Sequence, residues 1–262
     1  MKRVSLKWLF PVLLGLWLCG AGNFLYGQTK PKPQMEKIKL AKVAHVSFEC
    51  DDPCIKEIEE KFSPISSNGI DIVNWPDRNG DYSPKASFKI MYSDTYLYIR
   101  YQVEETELRA TFPADSGARP WTDDCMELFI LPDEETGVYY NIEMNCIGRG
   151  LVGYGPQKHD REHFGKDSLD RIIRFSTLGT EAFGTRIATD NEPFRWSMII
   201  AVPLDLILQG KDASSLRGKT ARGNVYKCGD DMQHRHYLTW NPVGTEKPDY
   251  HRPEYFGYFE FE

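Results

Sequence analysis

The densest run of chemistry-bearing residues is Trp121-Thr-Asp123-Asp124-Cys125-Met-Glu127-Leu-Phe129-Ile130. Side chains alternate along a β-strand, so an extended run puts Asp123, Cys125, Glu127 and Phe129 on one face and Asp124, Met126, Leu128 and Ile130 on the other. A little further on, Asn141, Glu143 and Asn145 recur at every second position. Two neighbouring strands of this kind spread carboxylates and amides over one sheet face, with an apolar row behind them. Such a face offers directional hydrogen bonds to a hydroxyl-rich ligand. A plain solvated outer face would show the same alternation. Paired acids also admit glycosidic-bond hydrolysis, which needs two carboxyl groups at about 5 Å or about 6.5–9.5 Å. Glu127 and Glu143 could meet that distance as cross-strand neighbours. Nothing around them in the sequence implies an enclosing pocket or a raised pKa, so glycoside hydrolysis stays an alternative and no catalytic residue is assigned. A haem- or metal-binding sandwich is the second alternative, since Cys228, His234, His236 and His251 fall in the C-terminal third. Cys-x5-His-x-His is not a standard zinc spacing.

The elements that must position these residues read as strands. The alternation predicts a hairpin of 87–92 with 95–103, and a second of 125–131 with 138–146 turning at 132–137. Further strands are expected at 41–49, 171–176, 195–202, 220–228, 237–240 and 255–261, with short helices at 55–62 and 204–208. The stretches 104–120, 150–170 and 241–254 read as long loops. Many short strands, little helix and frequent Gly and Pro point to an all-β fold. The expected form is an antiparallel, two-sheet β-sandwich, jelly-roll-like or immunoglobulin-like, over residues 40–262. Trp75 and Trp196 sit in apolar surroundings and are expected in the core. Trp121 follows Gly117-Ala-Arg-Pro120 at a loop–strand junction and is expected to be exposed.

Composition narrows the partners. A net charge of −6 with no basic stripe argues against nucleic acid. Lys2, Arg3 and Lys7 precede an apolar stretch from Trp8 to Leu18, and a smaller, more polar run follows to Gly27. This is a secretory signal pattern over 1–27, too short for a comfortable transmembrane span. Residues 28–39 then form a linker or loose N-terminus. Export to the periplasm, cell surface or medium is expected. A lipid anchor at Cys19 is the lesser reading, because Leu18 is bulky before such a cysteine. Removing the signal leaves Cys50, Cys54, Cys125, Cys146 and Cys228, an odd set that implies at least one free thiol or an intermolecular bridge. Cys50 and Cys54 could close a small loop. A Cys125–Cys146 bridge is open on strand adjacency alone.

The run Trp121-x-Asp-Asp-x-x-Glu127-x-Phe129 resembles the signature strand of carbohydrate-binding module family 9. The similarity continues through Tyr139-Tyr-Asn141-Ile-Glu143-Met-Asn145 and through Trp196-Ser-Met-Ile-Ile-Ala-Val-Pro203. The C-terminal block, Ala221-Arg222-Gly-Asn224-Val-Tyr226-Lys227-Cys228, then His236-Tyr-Leu-Thr-Trp240-Asn241-Pro242, then His251-Arg252-Pro253-Glu254-Tyr255-Phe256, resembles family-9-like exported bacterial proteins. The resemblance implies non-catalytic binding of a mono-, oligo- or polysaccharide in support of polysaccharide catabolism, with a glycoside hydrolase as a possible co-worker. It implies a sugar held between two Trp rings, Trp121 and Trp240, with Glu127 and Arg149 on its hydroxyls and Asn141 and Arg222 completing the binding set. It also implies structural calcium, for which no motif here fixes the ligands.

Overall fold

The computed structural model describes residues 37–48, 53–189 and 192–262. The signal segment, Cys19, most of the expected linker and Cys50 lie outside the described residues. Among those described, the strands in chain order are β1 (Leu40–His45), β2 (Asn68–Gly69), β3 (Lys85–Tyr92), β4 (Tyr96–Glu105), β5 (Glu107–Ala110), β6 (Cys125–Leu131), β7 (Tyr139–Asn145) and β8 (Gly150–Gln157). They continue with β9 (Asp160–His163), β10 (Ile173–Ser176), β11 (Phe183–Ile187), β12 (Phe194–Pro203), β13 (Thr220–Gly229), β14 (His236–Thr239) and β15 (Gly257–Phe261). No helix among the described residues is long and apolar enough to cross a membrane.

The strands form a β-sandwich whose two halves are joined by one strand. The order is β10-β12-β4-β3-β1-β15-β13-β6-β7-β8-β9. The first residues of β1 pair with β15 and its last with β3, both in parallel. The expectation of a purely antiparallel sandwich is corrected at this strand, which makes the sheet mixed. Alternation then builds the core. Met126, Leu128 and Ile130 of β6 and Tyr140, Ile142 and Met144 of β7 turn inward to meet Ile99, Tyr101 and Val103 of β4 and Trp196, Met198 and Ile200 of β12.

Each outer face has its own cover. The helix Ile55–Phe62 lays Ile58 and Phe62 on Met91, Tyr98, Ile199 and Ala201. It opens on a capping bond, the Cys54 amide donating to Glu57 Oε2 at 2.9 Å. The segment 241–256 crosses the other outer face, where Val243, Tyr250 and Phe256 pack with Trp75, Phe129, Tyr139 and Tyr226. The face that could have been merely solvated is therefore half roofed. Trp75 and Trp196 are buried, as their apolar neighbours implied, and each indole N–H has an acceptor, Thr245 O at 2.7 Å and Glu105 Oε1 at 2.6 Å.

One charge lies wholly inside. Lys227 on β13 is 0% exposed, its Nζ 2.5 Å from Asp124 Oδ1 and 3.1 Å from Glu105 Oε2. Nε2 of the buried His236 lies 2.7 Å from the same Nζ. Burial works against the Lys227 charge, but the two carboxylates more than offset it and hold its pKa above the ordinary lysine value. This cluster ties the residue before β6 and the last residue of β4 to the middle of the sheet.

Three expectations change here. A Cys125–Cys146 bridge is ruled out by orientation, since Cys125 faces the roofed outer side and Cys146 the main core. Cys125 instead stands directly opposite Cys228 on β13. The stretch 150–170 is no loop: it holds β8, β9 and the helix Lys166–Asp170. Its glycines are there for close approach. A Cβ on Gly153 would stand 2.6 Å from Asn141 Oδ1, and one on Gly150 1.8 Å from the Glu143 carbonyl oxygen. The stretch 104–120 likewise contains β5, which pairs with β11.

Candidate functional site

The outward residues of β6, β7 and β13 form the floor of a cleft. Register sets them side by side, with Glu127 facing Glu143 across β6–β7 and Tyr226 across β6–β13. The cleft holds about 290 Å³, with Glu127, Glu143 and Cys228 at its base. That lies at the small end of ligand pockets, about 300–1,000 Å³. Another groove, of about 330 Å³, runs between the 132–138 turn and residues 207–220, but it gathers none of the expected site residues.

Trp121 forms one wall. It sits in the 3-10 turn Pro120–Thr122, partly buried, its ring open to the cleft. Asp123 anchors that turn. It is 0% exposed and accepts from the Thr111 amide at 2.7 Å, Thr111 Oγ1 at 2.8 Å, Asn145 Nδ2 at 3.0 Å and Arg109 Nε at 3.2 Å. The Asp230 amide donates to the Trp121 carbonyl at 2.8 Å, which fixes the turn against the end of β13. Tyr237 of β14 and Tyr250 of the roof add aromatic surface. The β8–β9 hairpin brings in Lys158 and Arg161. Lys158 pairs with Asp249 at 3.2 Å, and Arg161 Nη1 lies 2.8 Å from His251 Nδ1. Burial, with Arg161 and Lys158 close by, pulls the His251 pKa down to about 3, so the ring is neutral and can accept that bond.

The carboxyl pair is unusual. Burial lifts the Glu143 pKa to about 7, against the opposing effects of the Asn141 hydrogen bond and Arg161. Glu127 is raised well above the carboxylate range by burial and by the Glu143 charge. The pocket and the raised pKa that were not legible in sequence are thus both present. Both carboxyls nevertheless rise from one face of one sheet, so they reach a ligand from the same side. Glycosidase acids instead flank the scissile bond.

The structure brings Trp121, Glu127 and Glu143 together and places the other expected residues elsewhere. Trp240 is corrected to a core residue. It is 2% exposed, stacked on Phe259 at 5.2 Å and edge-on to Phe88 at 5.4 Å. Arg149 lies outside the cleft, its guanidinium reaching Thr180 O at 3.5 Å. Arg222 is spent on the backbone, donating to Phe256 O at 2.8 Å and Pro253 O at 3.3 Å, with its charge over the Tyr258 ring. Asn141 is buried beneath the floor, where Nδ2 donates to Glu143 Oε1 at 2.6 Å, so it positions that acid. The histidines set beside Cys228 as a metal or haem cluster scatter to separate partners: His234 to Glu107, His236 to Lys227, His251 to Tyr139 and Arg161. Among the described residues, the His, Cys, Asp and Glu donors that converge are Cys125, Glu127 and Cys228. Two sulfurs with one carboxylate do not suit calcium, which takes an oxygen cage.

A family model for carbohydrate-binding family 9 matches residues 58–261. The chain belongs to this family. No curated protein matches it. Among solved structures, a proposed carbohydrate-binding protein from Bacteroides uniformis ATCC 8492 is similar at 32% identity and a TM-score of 0.77, over 86% of this chain and 100% of that one. A family 9 module from Caldicellulosiruptor kristjanssonii in complex with glucose is 14% identical, with a TM-score of 0.54 over 86% of this chain and 96% of that one. The same organism's family 9 module in complex with cellotriose is 16% identical, with a TM-score of 0.52 over 86% and 94%. The last two identities bear on the fold alone.

Proposed function

We propose that the cleft takes a saccharide without cleaving it, one sugar ring lying on Trp121 and its hydroxyls meeting Glu127, Glu143 and Arg161. The observation that carries this reading is an accessible indole beside a buried carboxyl pair and a guanidinium at one small cleft. A pyranose has apolar C–H faces and a hydroxyl rim. A ring covers the face, and charged groups bond the rim. Family membership and the sugar-bound relatives support the reading. Tyr237 and Tyr250, which line the cleft, supply the second aromatic surface that the family resemblance implies. The N-terminal pattern is read as an export signal, which places the protein where polysaccharides and the hydrolases that process them are found.

The test is calorimetric titration of wild type and Trp121→Ala with glucose, cellotriose and the best ligands from a glycan array. Loss of the stacking surface is expected to cost about 1–3 kcal/mol. That corresponds to a loss of affinity of about 5- to 150-fold. Normal binding by Trp121→Ala overturns the assignment. Release of reducing sugar from those ligands overturns the non-catalytic reading.

A further inference from the structure

The base of the cleft holds sulfur donors that saccharide recognition leaves unused. Cys125 and Cys228 face each other in register on β6 and β13, and both are buried. Their Sγ atoms and a carboxylate oxygen of Glu127 all lie within 4.8 Å of one another. Cys228 Sγ is 3.1 Å from Glu127 Oε1. A tetrahedral site with metal–sulfur bonds of about 2.3 Å and metal–oxygen bonds of about 2.0–2.2 Å needs donor separations of about 3.5–3.8 Å. The three donors therefore need only small side-chain movements to share one ion. Asp230, just past the end of β13, lines the same cleft as Glu127 and Cys228. Arg161 and Lys158 line the cleft as well and act on Glu127, Glu143 and Asp230 through their charge.

The local electrostatics agree. Burial lifts the Cys125 thiol to about 12, and the Cys125 contact together with burial pushes Cys228 well up. These shifts come from burial, against the charges of Arg161 and Lys158 at the cleft wall, and a dication would favour the deprotonated forms. A cross-strand disulfide would use the same two sulfurs, and the experiment below separates it from metal binding.

We propose that Cys125, Glu127 and Cys228 bind a divalent ion of zinc-like chemistry that enters through the cleft, with Asp230 or a water in the fourth position. On binding, each thiol and the Glu127 carboxyl pass a proton to the buffer, and each sulfur and one Glu127 oxygen donate an electron pair to the metal. No redox step is involved.

The experiment titrates the full chain, reduced and kept free of oxygen, with Co2+ and then with Zn2+. One equivalent of Co2+ is expected to give thiolate-to-cobalt charge-transfer absorption and tetrahedral visible bands. Zn2+ is expected to abolish both and to raise the melting temperature. Cys228→Ser is expected to lose the charge-transfer band and the Zn2+-induced shift, while Cys146→Ser retains both. If Cys228→Ser fails to fold, Glu127→Gln provides the second arm, with weakened Co2+ binding and altered visible bands. Absence of the charge-transfer band in reduced wild type overturns the proposal, as does its persistence in Cys228→Ser. A Cys125–Cys228 disulfide that resists reduction in the folded protein overturns it too. No sugar is present in this assay, so its failure leaves the saccharide reading standing, and the reverse also holds.

Discussion

Replacing Lys227 by Met tests how the floor of the cleft is held. The wild-type ammonium is 0% exposed and in contact with two carboxylates at 2.5 and 3.1 Å. Methionine keeps most of the stem and removes the charge, which leaves Asp124 and Glu105 buried side by side. Removing one partner of a buried ion pair costs about 3–5 kcal/mol. For a chain of this size that lowers the melting temperature by about 6–20 °C, at about 2–4 °C per kcal/mol. The loss has a direction in pH. Burial and Glu105 already raise the Asp124 pKa well above its unfolded value. A group raised in this way stabilises fully below its unfolded pKa, and that stabilisation is lost as pH rises through the folded value. The deficit of Lys227→Met is therefore smaller at pH 5 than at pH 8. Adding Asp124→Asn is expected to recover part of it, because neutralising both partners is far cheaper than orphaning one. Urea melts at both pH values, with calorimetry, measure all three variants. A Lys227→Met protein within about 1 kcal/mol of wild type at both pH values would refute the argument, since that is well below the cost of an orphaned buried charge.

Trp240→Ala is expected to cost about 3–5 kcal/mol, the range for deleting a large buried ring, in contrast to a nearly neutral Trp121→Ala; equal melting temperatures would return Trp240 to the surface. Glu143, raised to about 7, and Glu127, raised well above the carboxylate range by burial and the Glu143 charge, both stabilise more when protonated. Stability is therefore expected to fall as pH rises through about 7, and the double variant Glu127→Gln/Glu143→Gln should flatten that slope in thermal melts. Gly150→Ala sets a methyl against the Glu143 carbonyl and is expected to cost about 1–3 kcal/mol as overpacking. By loosening β8–β9 it should also weaken saccharide binding in titration, through the displaced Arg161.

Much of the floor was legible in sequence because alternation is a local property. The alternate placing of Glu127 and Leu128 follows from the chain itself, and the β6–β7 register follows from a short turn. What lay in tertiary pairing was not legible. An indole has the same shape in a core as in a binding site. Trp240 points inward because its amide docks on the Val225 carbonyl of β13 at 2.9 Å, a contact that no pattern in Thr239-Trp240-Asn241-Pro242 announces. In sequence the hairpin carrying Lys158 and Arg161 looks like loop, because Gly150, Gly153, Gly155 and Pro156 are loop residues by habit. Here the glycines let β8 lie close against β7 and Asn141. Arg149 and Arg222 show the same limit from the other side: a guanidinium near a motif can be consumed by backbone carbonyls.

Strand β1 has a consequence for the order of assembly. It seats in parallel beside β15, and the side chains of Lys42 and Glu262, 220 positions apart, bond at 2.6 Å. Until β15 is made, β1 lacks one of its two neighbours, and the half-sheets ending at β1 and β13 each keep a raw edge. Unpaired edges of this kind recruit other strands, and pairings this distant in sequence form slowly. The most vulnerable moment in the life of this protein is the interval before its last strand closes the seam. A helper that shields β1 and β13 during that interval would raise the yield of folded protein without touching its stability.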